Sequence, residues 1–271
     1  MRRSWLAGLV VLAAPMAMAQ SFDCVMEPSL VVRLGSPAPG LLADARLQRG
    51  DLVRKGEVVA RLVADVEAAT VELLAEQAAS RAEVEAQEAR LQLSTGRLAR
   101  SRTLADRGIA SREQLEEVAA EVEVVRRELA MAELRHRLAA LELGRAERVL
   151  EQRAIRSPID GIVVERVLSA GEYVPQDGHI AIIAALDPLH VEAFLPARHF
   201  PYVHEGQVGQ IRPAAPIEGS FEARITTVDR VFDAASATFG IRLTLTNPDA
   251  TLPAGHRCRL DLDLANPPRQ P

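Results

Sequence analysis

Few side chains in this 271-residue sequence belong to types that carry covalent or metal chemistry. Its two cysteines, Cys24 and Cys258, lie near opposite ends, too far apart in sequence to form a local metal site. In an oxidising compartment they could instead pair. Such a bond would close a very long loop, worth roughly 4–5 kcal/mol in the chain-entropy model. The sequence leaves that pairing open. His179, His190, His199, His204 and His256 are scattered over predicted strands and loops, and His199 and His204 lack the spacing of a helical zinc motif. Each is read as a hydrogen-bonded or solvated histidine. The chain contains no glycine-rich phosphate loop and no nucleophile elbow. We therefore expect no catalytic residue, no metal and no cofactor.

Composition points to a different use. The 32 Lys+Arg against 37 Asp+Glu give a net charge of −5, so no nucleic-acid partner is indicated. Lys55 is the only lysine. Aromatic residues make up 3% of the chain, while Ala, Leu, Val, Glu and Arg are plentiful. That palette suits long helices packed through small and aliphatic side chains.

Residues 1–19 read as a cleavable export signal. Arg2 and Arg3 precede an apolar run from Trp5 to Met16, and Ala17-Met18-Ala19 supplies a small-x-small cleavage pattern. The run is short for a membrane span of roughly 20 residues. Ser21-Phe22-Asp23 before Cys24 lacks the small residues of a lipoprotein box. The mature protein is expected to be soluble and exported.

What would position these residues is an internal repeat. Ser36-Pro37-Ala38-Pro39-Gly40 with Gly50-Asp51-Leu52-Val53 matches Ser157-Pro158-Ile159-Asp160-Gly161 with Gly171-Glu172-Tyr173-Val174. Both copies read S-P-x-x-G-x9-G-[DE]-x-V. Gly40 and Gly161 are expected at sharp strand bends that need glycine's backbone freedom. Alternating stretches such as Ile162–Val167 predict short half-buried strands. Each copy is too small to bury its own face, so the two are expected to form one small β-sandwich, with halves at 28–64 and 154–186.

Between the copies, residues 65–153 lack proline and predict two antiparallel helices. The second half carries two seams, one through Leu115, Val122, Leu129, His136, Leu143 and Leu150, the other through Val118, Val125, Ala132, Ala139 and Ala146. Steps of three and four keep both on one face, as in a coiled coil. Glu123–Arg127 and Glu133–Arg137 are expected to pair on the outer surface. The first half has a weaker stripe through Leu73, Val84, Leu91 and Leu98. Gly108 is expected to end the first helix in the left-handed conformation. Ser111 and Gln114 form a capping box for the second. Two helices of about 40 residues would make a rod roughly 60 Å long.

At this point the residues resemble a known family. The chain is similar to the periplasmic adaptor (membrane fusion, HlyD-like) subunits of RND-type tripartite efflux pumps. The resemblance implies a mixed α and β, elongated multidomain fold: a lipoyl-like β-sandwich split by a long antiparallel α-helical coiled-coil hairpin, then a β-barrel at 187–265. A strand at 22–33 could join that barrel, and 266–271 would be a flexible tail. At the hairpin tip, Arg100, Leu104 and Ser111 fit the spacing R-x3-L-x6-S with which such adaptors dock on a TolC-like outer-membrane channel. Arg100 and Ser111 would hydrogen-bond to the channel's helical tips, and Leu104 would pack between them. The implied partners are an inner-membrane transporter of RND type, that channel, and further copies of the chain in a ring, hexameric by the resemblance. Many such adaptors add a membrane-proximal domain built from both chain ends, which is expected to be missing or minimal here.

Two alternatives stay open. An adaptor of an ABC-type exporter or secretion system would keep the fold and change the partner. A lipoyl or biotinyl carrier domain would need an exposed lysine at the junction of the two halves. That junction is Leu62-Val63-Ala64-Asp65, and Lys55 sits in an earlier turn.

Overall fold

The computed structural model describes residues 20–264. The export signal expected at 1–19 and the tail expected at 266–271 lie outside the described residues. The chain begins with β1 (Gln20–Gly35), β2 (Gly40–Ala45), β3 (Leu52–Val53) and β4 (Val58–Leu62). Three helices follow, α1 (Asp65–Ala79), α2 (Ala82–Asp106) and α3 (Arg112–Glu151). The remainder is β5 (Ala154–Arg156), β6 (Gly161–Arg166), β7 (Tyr173–Val174), β8 (His179–Pro196), a 3-10 turn at Ala197–Tyr202, β9 (Val208–Pro213), β10 (Phe221–Val228), β11 (Thr238–Leu245) and β12 (His256–Leu262).

Six antiparallel strands close on themselves in the order β1-β12-β9-β10-β11-β8 and back to β1, which makes a β-barrel without free edges. Alternate residues point inward, as strand geometry requires. Along β12 these are Cys258, Leu260 and Leu262, which meet Met26, Ile211, Ile225, Phe239 and Leu243 in one core.

A second, smaller core draws on both copies of the repeat. Leu34, Leu42, Val53, Val59 and Leu62 from the first pack with Ile155, Val163, Val174, Ile180 and Ile183 from the second. The layer β5-β4-β2-β7 covers one side, and β3-β6-β8-β1 the other.

No loop divides the two β bodies at residue 187. Strand β8 runs through both, paired with β1 from Cys24↔Ala193 in the barrel to Gly35↔His179 in the smaller body. The register shifts only between Pro28 and Leu30 and again at Gly35. Beside this ribbon, Asn247 is buried. Its amide donates to the carbonyls of Leu186 and Leu252 (both 3.0 Å), and its oxygen accepts the Leu252 N–H at 3.1 Å. The Asp187 carboxylate accepts the Asn247 N–H at 2.8 Å. A buried amide must be satisfied in this way, or its desolvation would be uncompensated.

The glycines of the repeat serve a purpose other than the expected bend. Neither Gly40 nor Gly161 has a positive φ. At Gly161 the need is space: an added Cβ would lie 2.9 Å from the carbonyl carbon of Ala184 and 3.1 Å from Ile183 Cγ2. The left-handed positions are the following turns, Gly50 (φ +96) and Gly171 (φ +87).

Candidate docking site: the helical arm and its tip

Helices α1 and α2 both lie against α3 and run antiparallel to it. Three ion pairs set the register: Arg97–Glu121 at 3.7 Å, Arg90–Glu128 at 4.0 Å, and Glu83–Arg135. Each step moves seven residues toward the root on both helices. On α3 the side chains turned toward α1 and α2 are those of the sequence stripe, with Val122 and Ala132 fully buried. His136 sits half-buried among them, its Nδ1 without a hydrogen-bond partner.

The first helix departs from expectation. It breaks at Ser80, which is extended (φ −74, ψ 120), so it forms two helices where one was expected. On α1 the inward residues are Val71, Leu74 and Ala78, whereas on α2 they are Val84, Leu91, Ser94 and Leu98. Unbroken 3.6-residue periodicity cannot keep both sets on one side, and the non-helical turn resets the phase. Leu73 therefore points outward and is 59% exposed, contrary to its place in the expected stripe. The expected outer pairs also differ: Glu123 binds Arg126, three residues on, and Arg137 has no ion pair among the described residues.

At the root, Arg153 joins pieces far apart in sequence. Its guanidinium donates to Glu67 at 2.6 Å and to the Pro39 carbonyl at 3.1 Å. Hydrogen bonding within Glu67's own backbone, then the Arg153 guanidinium, hold the Glu67 carboxyl below the usual glutamate range despite partial burial. Sequence reasoning missed this clamp. Glu67 and Pro39 stand 86 and 114 residues from Arg153, and no local pattern marks them.

The far end of the arm is built by local chemistry. Gly108 adopts φ +76 and donates its N–H to the Ala105 carbonyl at 2.9 Å. The Leu104 carbonyl accepts the Ile109 N–H at 2.9 Å. Ser111 caps α3: its hydroxyl accepts the Gln114 N–H and the Gln114 side chain accepts the Ser111 N–H, both at 3.1 Å. The Ser111 hydroxyl hydrogen stays available to an outside acceptor. Arg100 has no ion pair among the described residues, and its guanidinium folds back toward Gly96. Leu104 is 42% exposed, and Ile109, which sequence reasoning passed over, is 71% exposed. Arg100, Leu104 and Ser111 are thus gathered at one exposed end.

The cysteines meet in the barrel. Cys24 and Cys258 face each other across β1 and β12 and are disulfide-bonded, with Cα atoms 4.8 Å apart. His199 corrects the reading of the histidines as hydrogen-bonded or solvated. It is only 8% exposed, packs edge-on against Phe22 at 5.5 Å, and has no partner for Nε2. Burial, then the nearby Arg198 charge, lowers its pKa. Among the described residues no cluster of His, Cys, Asp and Glu could hold a metal ion, and no helix is long and apolar enough to cross a membrane.

A closed barrel, a small two-layer β body and a long antiparallel helical arm are also the fold of solved structures that include a membrane fusion protein. Crystalline MacA from Actinobacillus actinomycetemcomitans superposes with a TM-score of 0.74 over 91% of this chain and 79% of that one, at 19% identity. The membrane fusion protein Spr0693 from Streptococcus pneumoniae R6 gives 0.53 over 90% and 98%, at 14% identity. In sequence, the chain is 24% identical over 222 residues to the nodulation protein NolF of Rhizobium meliloti, covering 82% of this chain and 57% of NolF. It is 29% identical over 114 residues to the cation efflux system protein CusB of Escherichia coli, covering 42% of this chain and 28% of CusB. The chain thus spans little more than half the length of the first of these relatives and less of the second. No protein-family model matches.

Proposed function

We propose that this chain is the periplasmic adaptor of a tripartite efflux pump, exported by its N-terminal signal and peripherally held at the inner membrane. The smaller β body is a lipoyl-like sandwich split by an α-helical coiled-coil hairpin. The hairpin reaches toward a TolC-like outer-membrane channel while the barrel side serves an inner-membrane transporter of RND type. Copies of the chain stand in a ring, hexameric by analogy, and substrate choice belongs to the transporter.

The supporting observation is the arm's distal end. Arg100 without an ion pair, a half-exposed Leu104 and a Ser111 hydroxyl that caps α3 yet keeps its own proton stand together at the exposed end of the arm. They supply two hydrogen-bond donors around one apolar anchor, a pattern suited to the carbonyl-rich ends of helical hairpins on a partner. A photo-cross-linker placed at Thr103 in intact cell envelopes should capture an outer-membrane channel protein. Arg100→Asp or Leu104→Asp should abolish both capture and efflux while leaving the folded chain unchanged. Variants that pump normally would overturn the docking assignment. The same experiment, with the linker moved to the exposed barrel residue Phe194, would identify an ABC-type transporter if that is the true inner-membrane partner.

A further inference from the structure

The root of the arm holds a groove that the fold leaves open. Helix α1 has no fully buried residue, so it lies on α3 through a shallow contact. On one side of that contact is a cavity of about 430 Å³. Its floor comes from Val66, Thr70 and Leu74 on α1 and from Ala146 and Val149 on α3. The α1 residues stand four apart, so they line one helix face over two turns, a length of about 12 Å. The short side chains of Thr70 and Ala146 leave a hollow midway, with bulkier groups at the ends. Val66 is 76% exposed and Val149 41%, although both are apolar. A concave volume of this size, within the range of roughly 300–1,000 Å³ and walled mainly by apolar groups, is the usual form of a small-molecule site.

Charge selects the class of ligand. Glu67, Glu142 and Arg145 stand around the floor. Glu67 is held by Arg153, whereas Glu142 and Arg145 have no ion pair among the described residues. Farther out the balance is acidic. Helix α1 carries Asp65, Glu67, Glu72 and Glu76 and no basic residue at all. On the facing end of α3, Glu147 offsets Arg148, which leaves Asp65, Glu72, Glu76 and Glu142 against Arg145 alone. An apolar floor under an excess of carboxylates attracts positive charge and repels negative.

We infer that this groove binds a small organic cation with an apolar body, seated on Val66, Leu74 and Val149 with its charge toward Glu142. The site goes beyond the proposed function and holds with or without docking at the tip. It lies beside the Arg153–Glu67 clamp, so an occupied groove also ties α1 more firmly to α3 at the arm's root.

Calorimetric titration of the purified mature chain with tetraphenylphosphonium tests this, with tetraphenylborate as a probe of similar shape and opposite charge. One phosphonium should bind per chain, and the borate about tenfold more weakly or not at all. Thr70→Trp fills the hollow from an exposed position. It should abolish binding and leave the circular dichroism and melting temperature of the free chain unchanged. Glu142→Gln should keep the fold and weaken the phosphonium about three- to tenfold, the worth of one nearby charge at a protein surface. Undiminished binding to either variant, or borate bound as tightly as phosphonium, would overturn the inference. So would self-association of the chain that Thr70→Trp abolishes, because a second copy would then cover the groove. Saturating phosphonium should also slow amide exchange over α1, and unchanged exchange there would place the ligand elsewhere and equally refute the site. The titration contains no channel and no transporter, so its failure leaves the docking reading untouched.

Discussion

Gly40 and Gly161 occupy the same place in the repeated motif, yet replacing each by alanine should have opposite consequences. A Cβ on Gly161 would press into the Ala184 peptide, 2.9 Å from its carbonyl carbon, and would lie 3.1 Å from Ile183 Cγ2. That peptide belongs to β8, which is held by β6 on one side and β1 on the other, so it cannot retreat alone. Relieving the overlap means shifting paired backbone, at the upper end of the 1–3 kcal/mol cost of overpacking, and we expect a loss of about 3 kcal/mol. At Gly40 the nearest atom is Arg153 Nη1 at 3.1 Å, the end of a flexible side chain. Swinging it aside sacrifices its bond to the Pro39 carbonyl, worth about 1 kcal/mol. The reduced entropy of the unfolded chain returns about 0.4–1 kcal/mol. Gly40→Ala should therefore be nearly neutral. Urea unfolding of the purified mature chain reads both, as a change of midpoint at unchanged slope. Gly161→Ala should also lower the melting temperature by roughly 6–12 °C, at about 2–4 °C per kcal/mol for a chain of this size. Equal costs at the two sites, or a neutral Gly161→Ala, would refute the claim that close approach explains the glycine.

Other expectations concern the barrel and the tip. Replacing Cys24 and Cys258 by serine removes a cross-link across 234 residues and should cost about 5 kcal/mol in the chain-entropy model, visible as barrel unfolding at lower urea. Burial, then the nearby Arg198 charge, lowers the pKa of His199 in the fold below the unfolded value of about 6.5. The unfolded chain then binds the extra proton, and stability should be full above that value and fall as the pH drops through it. Melting temperatures across pH 5–8 should show that decline, and His199→Leu should flatten it; an unchanged slope would clear His199 of the role. Ser111→Ala removes the α3 cap and should cost about 1 kcal/mol locally, read as faster amide exchange over the first turn of α3. Protection unchanged at Gln114 and Leu115 would contradict the capping geometry.

The arm shows why some features were legible before any coordinates and others were not. The α3 stripe, the Ser111–Gln114 box and the left-handed Gly108 all depend on residues within one or two turns of each other. Leu73 failed because its orientation depends on a phase break at Ser80, whose value lies in matching α3, half the arm away in sequence. His199 was misjudged for a related reason. Its neighbour Phe22 lies far away in sequence, on the part of β1 that pairs with β12.

Sequence by itself determined several local conformations: the turn at Gly108 and the cap that starts α3, which face of α3 is apolar, and that two matched motifs flank the helical stretch. Tertiary structure alone decided that β1 and β8 run unbroken through both β bodies, that Arg153 clamps the arm's root, and that Gly161 is needed for room. The division follows sequence distance. Periodicity and capping are short-range and written in neighbouring residues, whereas strand pairing and close approach join residues that share no local pattern.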